Sequence, residues 1–197
     1  MSKGEVVLSD CWASPFCLRA KIALAEKGFE YEARAENLFG GKSDLLLKSN
    51  PIYKKVPTWP SPPLLPSCAS ERAKARFWAD FIEKAFDAVC NIWKSKGEVP
   101  ETAKNEFIEI LKPLEGALGE KDFFGDSFGF VDVIAIPLTC WFYAVEKFGG
   151  FKLENECPNF SAWMNKCMQR DTVARILPDP EKVYEFVIML RNLFGIE

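Results

Sequence analysis

The sequence predicts a small α/β unit followed by a wholly helical one. Near the N-terminus, two short strand-like runs flank one strongly signalled helix in β-α-β order. A proline-rich passage, Trp59-Pro60-Ser61-Pro62-Pro63-Leu64-Leu65-Pro66, then interrupts the chain where neither a helix nor a central strand can continue. Everything after it repeats apolar residues at helical spacing. On these boundaries residues 1–66 form the α/β domain with its linker, and residues 67–197 form an all-α bundle.

Glu5-Val6-Val7-Leu8-Ser9 reads as a short buried strand. A turn over 10–14 leads to Ser14-Pro15, with serine at the N-cap and proline at the first helical position. Phe16, Ala20, Ala23, Leu24 and Lys27 follow at helical spacing, and Gly28 supplies the stop. Phe29-Glu30-Tyr31-Glu32-Ala33 alternates as a second strand. That order implies two parallel strands joined by a crossover helix. Lys42-Ser43-Asp44 opens a helical turn through Leu45–Leu47, which Asn50-Pro51 ends.

Past the linker, Ser67 or Ser70 caps a long helix that runs to about Lys96 before Gly97. Its apolar stripe includes Phe77, Phe81, Ile82, Ala85, Phe86, Val89, Ile92 and Trp93. Further helices are expected at roughly 100–118 and at roughly 131–148, the latter bent at Pro137. Gly129 and Asp132 are the N-cap and third helical position of that bent helix. Asn159 or Ser161 opens another helix near 160–170, a short one follows near 171–177, and Asp179-Pro180 caps the last, to about Leu193.

Composition narrows the chemistry. A net charge of −3 speaks against the basic face that nucleic acid requires. The chain has no histidine, which removes Ser-His-Asp and Cys-His nucleophile pairs and histidine-ligated metal sites together. Its seven cysteines contain no CxxC pair and are too scattered to read as a disulfide framework, so no metal is expected. The N-terminus opens on a strand rather than a signal-peptide core, and no apolar run is long enough to span a bilayer. A cytoplasmic, soluble chain with neither a membrane nor a nucleic-acid partner is the expectation.

The segment Trp12-Ala13-Ser14-Pro15-Phe16-Cys17-Leu18-Arg19-Ala20-Lys21-Ile22-Ala23-Leu24 resembles the catalytic segment of the plant tau-class glutathione transferases. Lys42-Ser43, Leu45-Leu46-Leu47, Asn50-Pro51 and Lys54-Lys55-Val56-Pro57 match that class in order and spacing. So do Ala75-Arg76-Phe77-Trp78-Ala79-Asp80, Gly129-Phe130-Val131-Asp132 and the run Leu177 to Phe186. The resemblance covers nearly the whole chain. It implies the glutathione-transferase fold, with a thioredoxin-like N-terminal domain, and conjugation of glutathione to small hydrophobic electrophiles in detoxification and stress response.

It also implies roles for single residues. A glutathione thiol titrates near 8.5 when free. Ser14, at a helix N-terminus, can donate to the sulfur while the helix dipole favours its negative charge. Standing alone, Ser-Pro reads as no more than a cap. Lys42 and Lys55 are implied to meet the glycine carboxylate of glutathione, and the Val56 backbone its cysteinyl part, across a cis Pro57. By family position Phe16, Phe86, Trp93, Trp141, Phe186 and Leu190 line the hydrophobic acceptor site, although aromatics at helical spacing also serve as plain core. Cys17 reads as a buried packing residue and Cys11 as a candidate reactive thiol.

One departure is large. In the family, the Val-Pro step is followed by two antiparallel strands and a helix whose start carries a Glu-Ser pair that holds the γ-glutamyl end. Here six residues separate Pro57 from Leu64, and no Glu-Ser pair occurs. Two strands and a helix of average length need roughly 20 residues or more. The β-β-α segment is therefore expected to be deleted, leaving a truncated β-α-β-α domain with weakened glutathione binding. The family is homodimeric, and the missing helix belongs to that interface, so a monomer is the other outcome. A non-catalytic binder of hydrophobic ligands, or a dimerisation partner of intact relatives, stands as the alternative function.

Overall fold

The computed structural model describes residues 6–37, 41, 43–49 and 64–196, with the side chains of Leu45 and Ser49 left aside. The chain divides into two compact units, Met1–Pro62 and Pro63–Glu197.

In the first unit, β1 (Val7–Asp10) and β2 (Glu32–Ala35) pair in parallel, Val7 opposite Glu32 and Asp10 opposite Ala35. α1 (Pro15–Glu26) makes the crossover between them. Both strands are more exposed than expected. Val7 is 38% exposed and β2 is exposed throughout, because among the described residues the sheet has only these two strands. The second strand also starts three residues later than its alternating pattern predicts. The cause is the end of α1: Gly28, at φ +66°, donates to Ala25 O and Phe29 donates to Leu24 O. This paired closure is a Schellman motif, and it takes Phe29 out of the strand and into the cap. α2 (Asp44–Ser49) follows, with Ser43 Oγ accepting from the Leu46 amide at 3.1 Å.

The second unit is helical. α3 (Ala69–Trp93) packs against α4 (Glu101–Leu118), α5 (Phe130–Ala135) and α6 (Phe142–Gly149). A 3-10 stretch, Ile136–Trp141, joins α5 to α6. Pro137 lacks an N–H and breaks the α ladder there, so the expected bend is a change of helix type. α7 (Leu153–Glu156) was not anticipated; α8 (Pro158–Met168), α9 (Asp171–Ala174) and α10 (Pro180–Leu193) complete the unit. Phe107, Leu111, Leu114, Ile136, Phe160 and Trp163 are almost wholly buried, each such side chain contributing about 1.5–3 kcal/mol by removal from water.

Two caps differ from expectation. Cys68, not Ser67 or Ser70, caps α3, and the Ser70 hydroxyl turns instead to the Cys68 sulfur at 3.1 Å. Cys157 precedes α8, with Pro158 at its first position. Its open amides are closed from outside: the Glu115 carboxylate of α4 accepts from Asn159 at 2.8 Å and from Phe160 at 2.6 Å. Asp179 caps α10 as expected, accepting from the Glu181 amide at 2.8 Å. Among the described residues no helix is long and apolar enough to cross a membrane.

Candidate active site

Ser14 occupies the N-cap of α1 in extended conformation, φ −77° and ψ 118°. Its amide donates to Cys11 O at 2.9 Å, closing the turn after β1, and its carbonyl accepts from Leu18 at 3.1 Å, starting the helix. Pro15 follows with no N–H to satisfy. The hydroxyl makes no capping bond to the first helical amides. It bonds instead to the sulfur of Cys17, one turn on, which also accepts the Cys11 amide at 3.3 Å. The side chain is half-buried.

The two neighbouring thiols are poor nucleophiles. Burial pushes the Cys17 thiol up, and the Ser14 hydroxyl only partly offsets this. Burial also raises Cys11, helped by the proximity of Cys17. Both sulfurs therefore stay protonated near neutral pH. Cys17 is wholly buried, in line with its packing reading.

The first unit is tied together around this turn by two polar links. Lys21 of α1 meets Asp10 at the end of β1, 2.5 Å apart. Glu36, just past β2, accepts from the Ser43 hydroxyl at 2.7 Å, the Ser43 amide at 3.2 Å and the Ser9 hydroxyl at 3.2 Å. The Ser43 hydroxyl, foremost among these donors, holds the Glu36 carboxyl below its usual value. Phe16 is half-buried near the start of α1, with the Arg19 guanidinium 5.0 Å over its ring. Lys42, Lys55, Val56 and Pro57 lie outside the described residues.

In the helical unit, three of the expected aromatics meet. Trp93, the last residue of α3, lies 6.3 Å from Trp141 at the end of the 3-10 stretch, and Trp141 lies 6.2 Å from Phe186 of α10. Phe194, just past α10, extends the row, 6.3 Å from Trp93. Trp93, Trp141 and Leu190 are buried, while Phe86 and Phe186 are half-buried. Sequence reasoning missed Phe194, which follows the last helical turn and has no periodic partner. Arg191 was missed too: 2% exposed, it donates from Nη1 to the carbonyls of Trp93 and Ser95. Its signal was present, because Val183, Val187 and position 191 recur at core spacing on α10.

Asp132 holds the entry to α5 in place. It is 1% exposed and accepts from Gly129 N at 2.9 Å, Phe124 N at 3.1 Å and Trp163 Nε1 at 2.7 Å. The capping role expected of Gly129 and Asp132 is thus present. Trp163 adds a link across 31 residues of sequence.

Comparison with known proteins places these features. The profile of the glutathione S-transferase N-terminal domain matches residues 5–59, and that of the C-terminal domain matches residues 77–171. The chain is 49% identical over 222 residues to a probable glutathione S-transferase, parC, of Nicotiana tabacum, covering 100% of both. Among solved structures it is similar to rice OsGSTU1 in complex with glutathione, at 42% identity and TM-score 0.90, covering 99% of this chain and 100% of that one. It is also similar to the tau-class enzyme of mango, Mangifera indica, at 31% identity and TM-score 0.86, covering 96% and 100%.

Proposed function

The chain belongs to the plant tau class of the glutathione transferase family, and we propose that it adds glutathione to hydrophobic electrophiles with Ser14 holding the thiolate. The observation that carries this reading is the Ser14 hydroxyl, which sits at a helix N-terminus yet is not spent on the helix's own amides. Such a hydroxyl can swing from the Cys17 sulfur to an incoming one. The proton leaves the glutathione thiol for solvent, the sulfur attacks the electrophilic carbon, and a leaving group such as chloride departs. Ser14 stays protonated throughout and donates to the sulfur. Each unit by which the thiol pKa falls corresponds to about 1.4 kcal/mol of thiolate stabilisation, within reach of one charge-assisted bond plus a helix dipole. Lys42 and Lys55 would hold the glycine carboxylate and the Val56 backbone the cysteinyl part. The row Trp93–Trp141–Phe186, with Phe86 and Leu190, would take the acceptor. A cytoplasmic role in detoxification and stress response belongs to this reading.

Glutathione binding is weakened in the same proposal. The tobacco alignment spans 222 positions against 197 residues here, a difference of 25. The short Pro57–Leu64 interval supports reading much of that difference as loss of the β-β-α segment and its Glu-Ser pair. Each lost charge-assisted bond is worth about 1.5–3 kcal/mol. A single one lowers affinity tenfold or more.

One observation favours a second reading, a non-catalytic partner of intact relatives. Phe77, 60% exposed on α3, stands against the half-buried Trp78 at 5.1 Å and Phe81 at 6.3 Å, a partly exposed aromatic cluster. A glutathione-affinity column followed by conjugation of 1-chloro-2,4-dinitrobenzene separates the two. Turnover that Ser14→Ala lowers supports the enzyme. No retention and no turnover, with a heterodimer on sizing with an intact relative, supports the partner.

A further inference from the structure

Arg191 stands where the apolar stripe of α10 would place a hydrophobe. Val183 and Val187 on that stripe are wholly buried, and Arg191 is 2% exposed. A guanidinium at that depth is costly unless its donors are used. Its Nη1 donates to Trp93 O at 2.5 Å and to Ser95 O at 3.0 Å, and its plane lies over the Phe148 ring at 4.7 Å. Trp93 ends α3, where the last carbonyls have no intrahelical partner and where positive charge complements the dipole. One side chain therefore joins α10, the end of α3 and Phe148 of α6. The indole fixed by that clamp is the centre of the aromatic row, with Trp141 and Phe194 each 6.3 Å away.

We propose that Arg191 is a positioning residue for the aromatic row: by holding the Trp93 carbonyl it sets the Trp93 indole against Trp141 and so determines how tightly flat apolar ligands bind. The proposal rests on the reading of this row as the acceptor site. Arg191→Lys keeps the charge, but its ammonium ends one bond short of Nη1 and offers no flat face to the Phe148 ring, so it cannot hold the two carbonyls in the same place.

The test titrates 8-anilino-1-naphthalenesulfonate, a flat apolar dye, into four proteins: the parent, Arg191→Lys, Trp93→Ala and the double variant. Dye binding requires no glutathione, so a parent without conjugating activity leaves the test intact. The expected result is roughly three- to tenfold weaker dye binding by Arg191→Lys with helical circular dichroism unchanged, and no further loss when Trp93 is already alanine, as coupling through one residue demands. Arg191→Lys binding the dye like the parent, or losing the same factor in the Trp93→Ala background, overturns the proposal. So does loss of helical dichroism, which assigns the residue to folding alone. A parent that binds no dye overturns the acceptor-site reading and this proposal together.

Discussion

Replacing Asp132 with alanine removes one acceptor that serves three donors, and the structure sets the size of the loss. Trp163 is 1% exposed, so its orphaned indole N–H bears the full desolvation penalty, about 1–3 kcal/mol. The amides of Phe124 and Gly129 are only part-buried and can turn to water, at about 0.5–1.5 kcal/mol each. Burial pushes the Asp132 carboxyl up, its three donors only partly offsetting this, so the ionised group is itself costly in the fold and the net loss is smaller than the sum. A loss of about 3 kcal/mol follows, since neighbouring bonds do not add. With a urea slope of about 2–3 kcal/mol per molar, the midpoint falls by about 1–1.5 M. Asp132→Asn keeps one oxygen for Trp163 and Phe124 but sets an amide against the Gly129 N–H, and should lose about half as much. Equilibrium urea unfolding followed by tryptophan fluorescence measures both. An alanine variant within about 0.5 kcal/mol of the parent, the scale of an ordinary surface change, would refute the reasoning.

Three further outcomes are expected. Glu115→Ala opens the amides of Asn159 and Phe160 at the start of α8 and should cost about 1–2 kcal/mol, read as a lower melting temperature. Glu36 has its carboxyl held down by Ser43, so it stabilises the fold above the ordinary carboxylate range and loses that contribution as pH falls through the depressed folded value. The stability gap between parent and Glu36→Gln should accordingly be widest at neutral pH and close in acid, as urea midpoints across pH will show. Calorimetric titration should find glutathione bound about tenfold or more weakly than by an intact tau-class relative, the loss of a single charge-assisted bond.

Local chemistry made much of this fold legible. Ser14-Pro15 and Gly28 fix both ends of α1 through their own backbone preferences, and Asp179-Pro180 does the same for α10. At α8 the expectation fails because a distant group decides. No sequence signal marks the Glu115 carboxylate as the cap of a helix 44 residues away, so the sequence points instead to the more usual capping residues Asn159 and Ser161. The second strand starts late for a local reason: Phe29 satisfies the alternation, yet its amide closes α1. At the site, Ser14 was readable from its cap position, whereas the ring contacts of Trp93, Trp141 and Phe186 depend on three separate elements meeting. Arg191 was the opposite case: the charged residue on an apolar stripe was visible, but its carbonyl partners 98 and 96 residues away were not.

The central claim is that the Ser14 hydroxyl stabilises a glutathione thiolate, and the pH dependence of 1-chloro-2,4-dinitrobenzene conjugation at saturating electrophile tests it most directly. The account predicts that the parent's rate rises with an apparent pKa well below the roughly 8.5 of a free thiol, and that Ser14→Ala returns it to that value with a lower plateau. Identical profiles for parent and Ser14→Ala would contradict it.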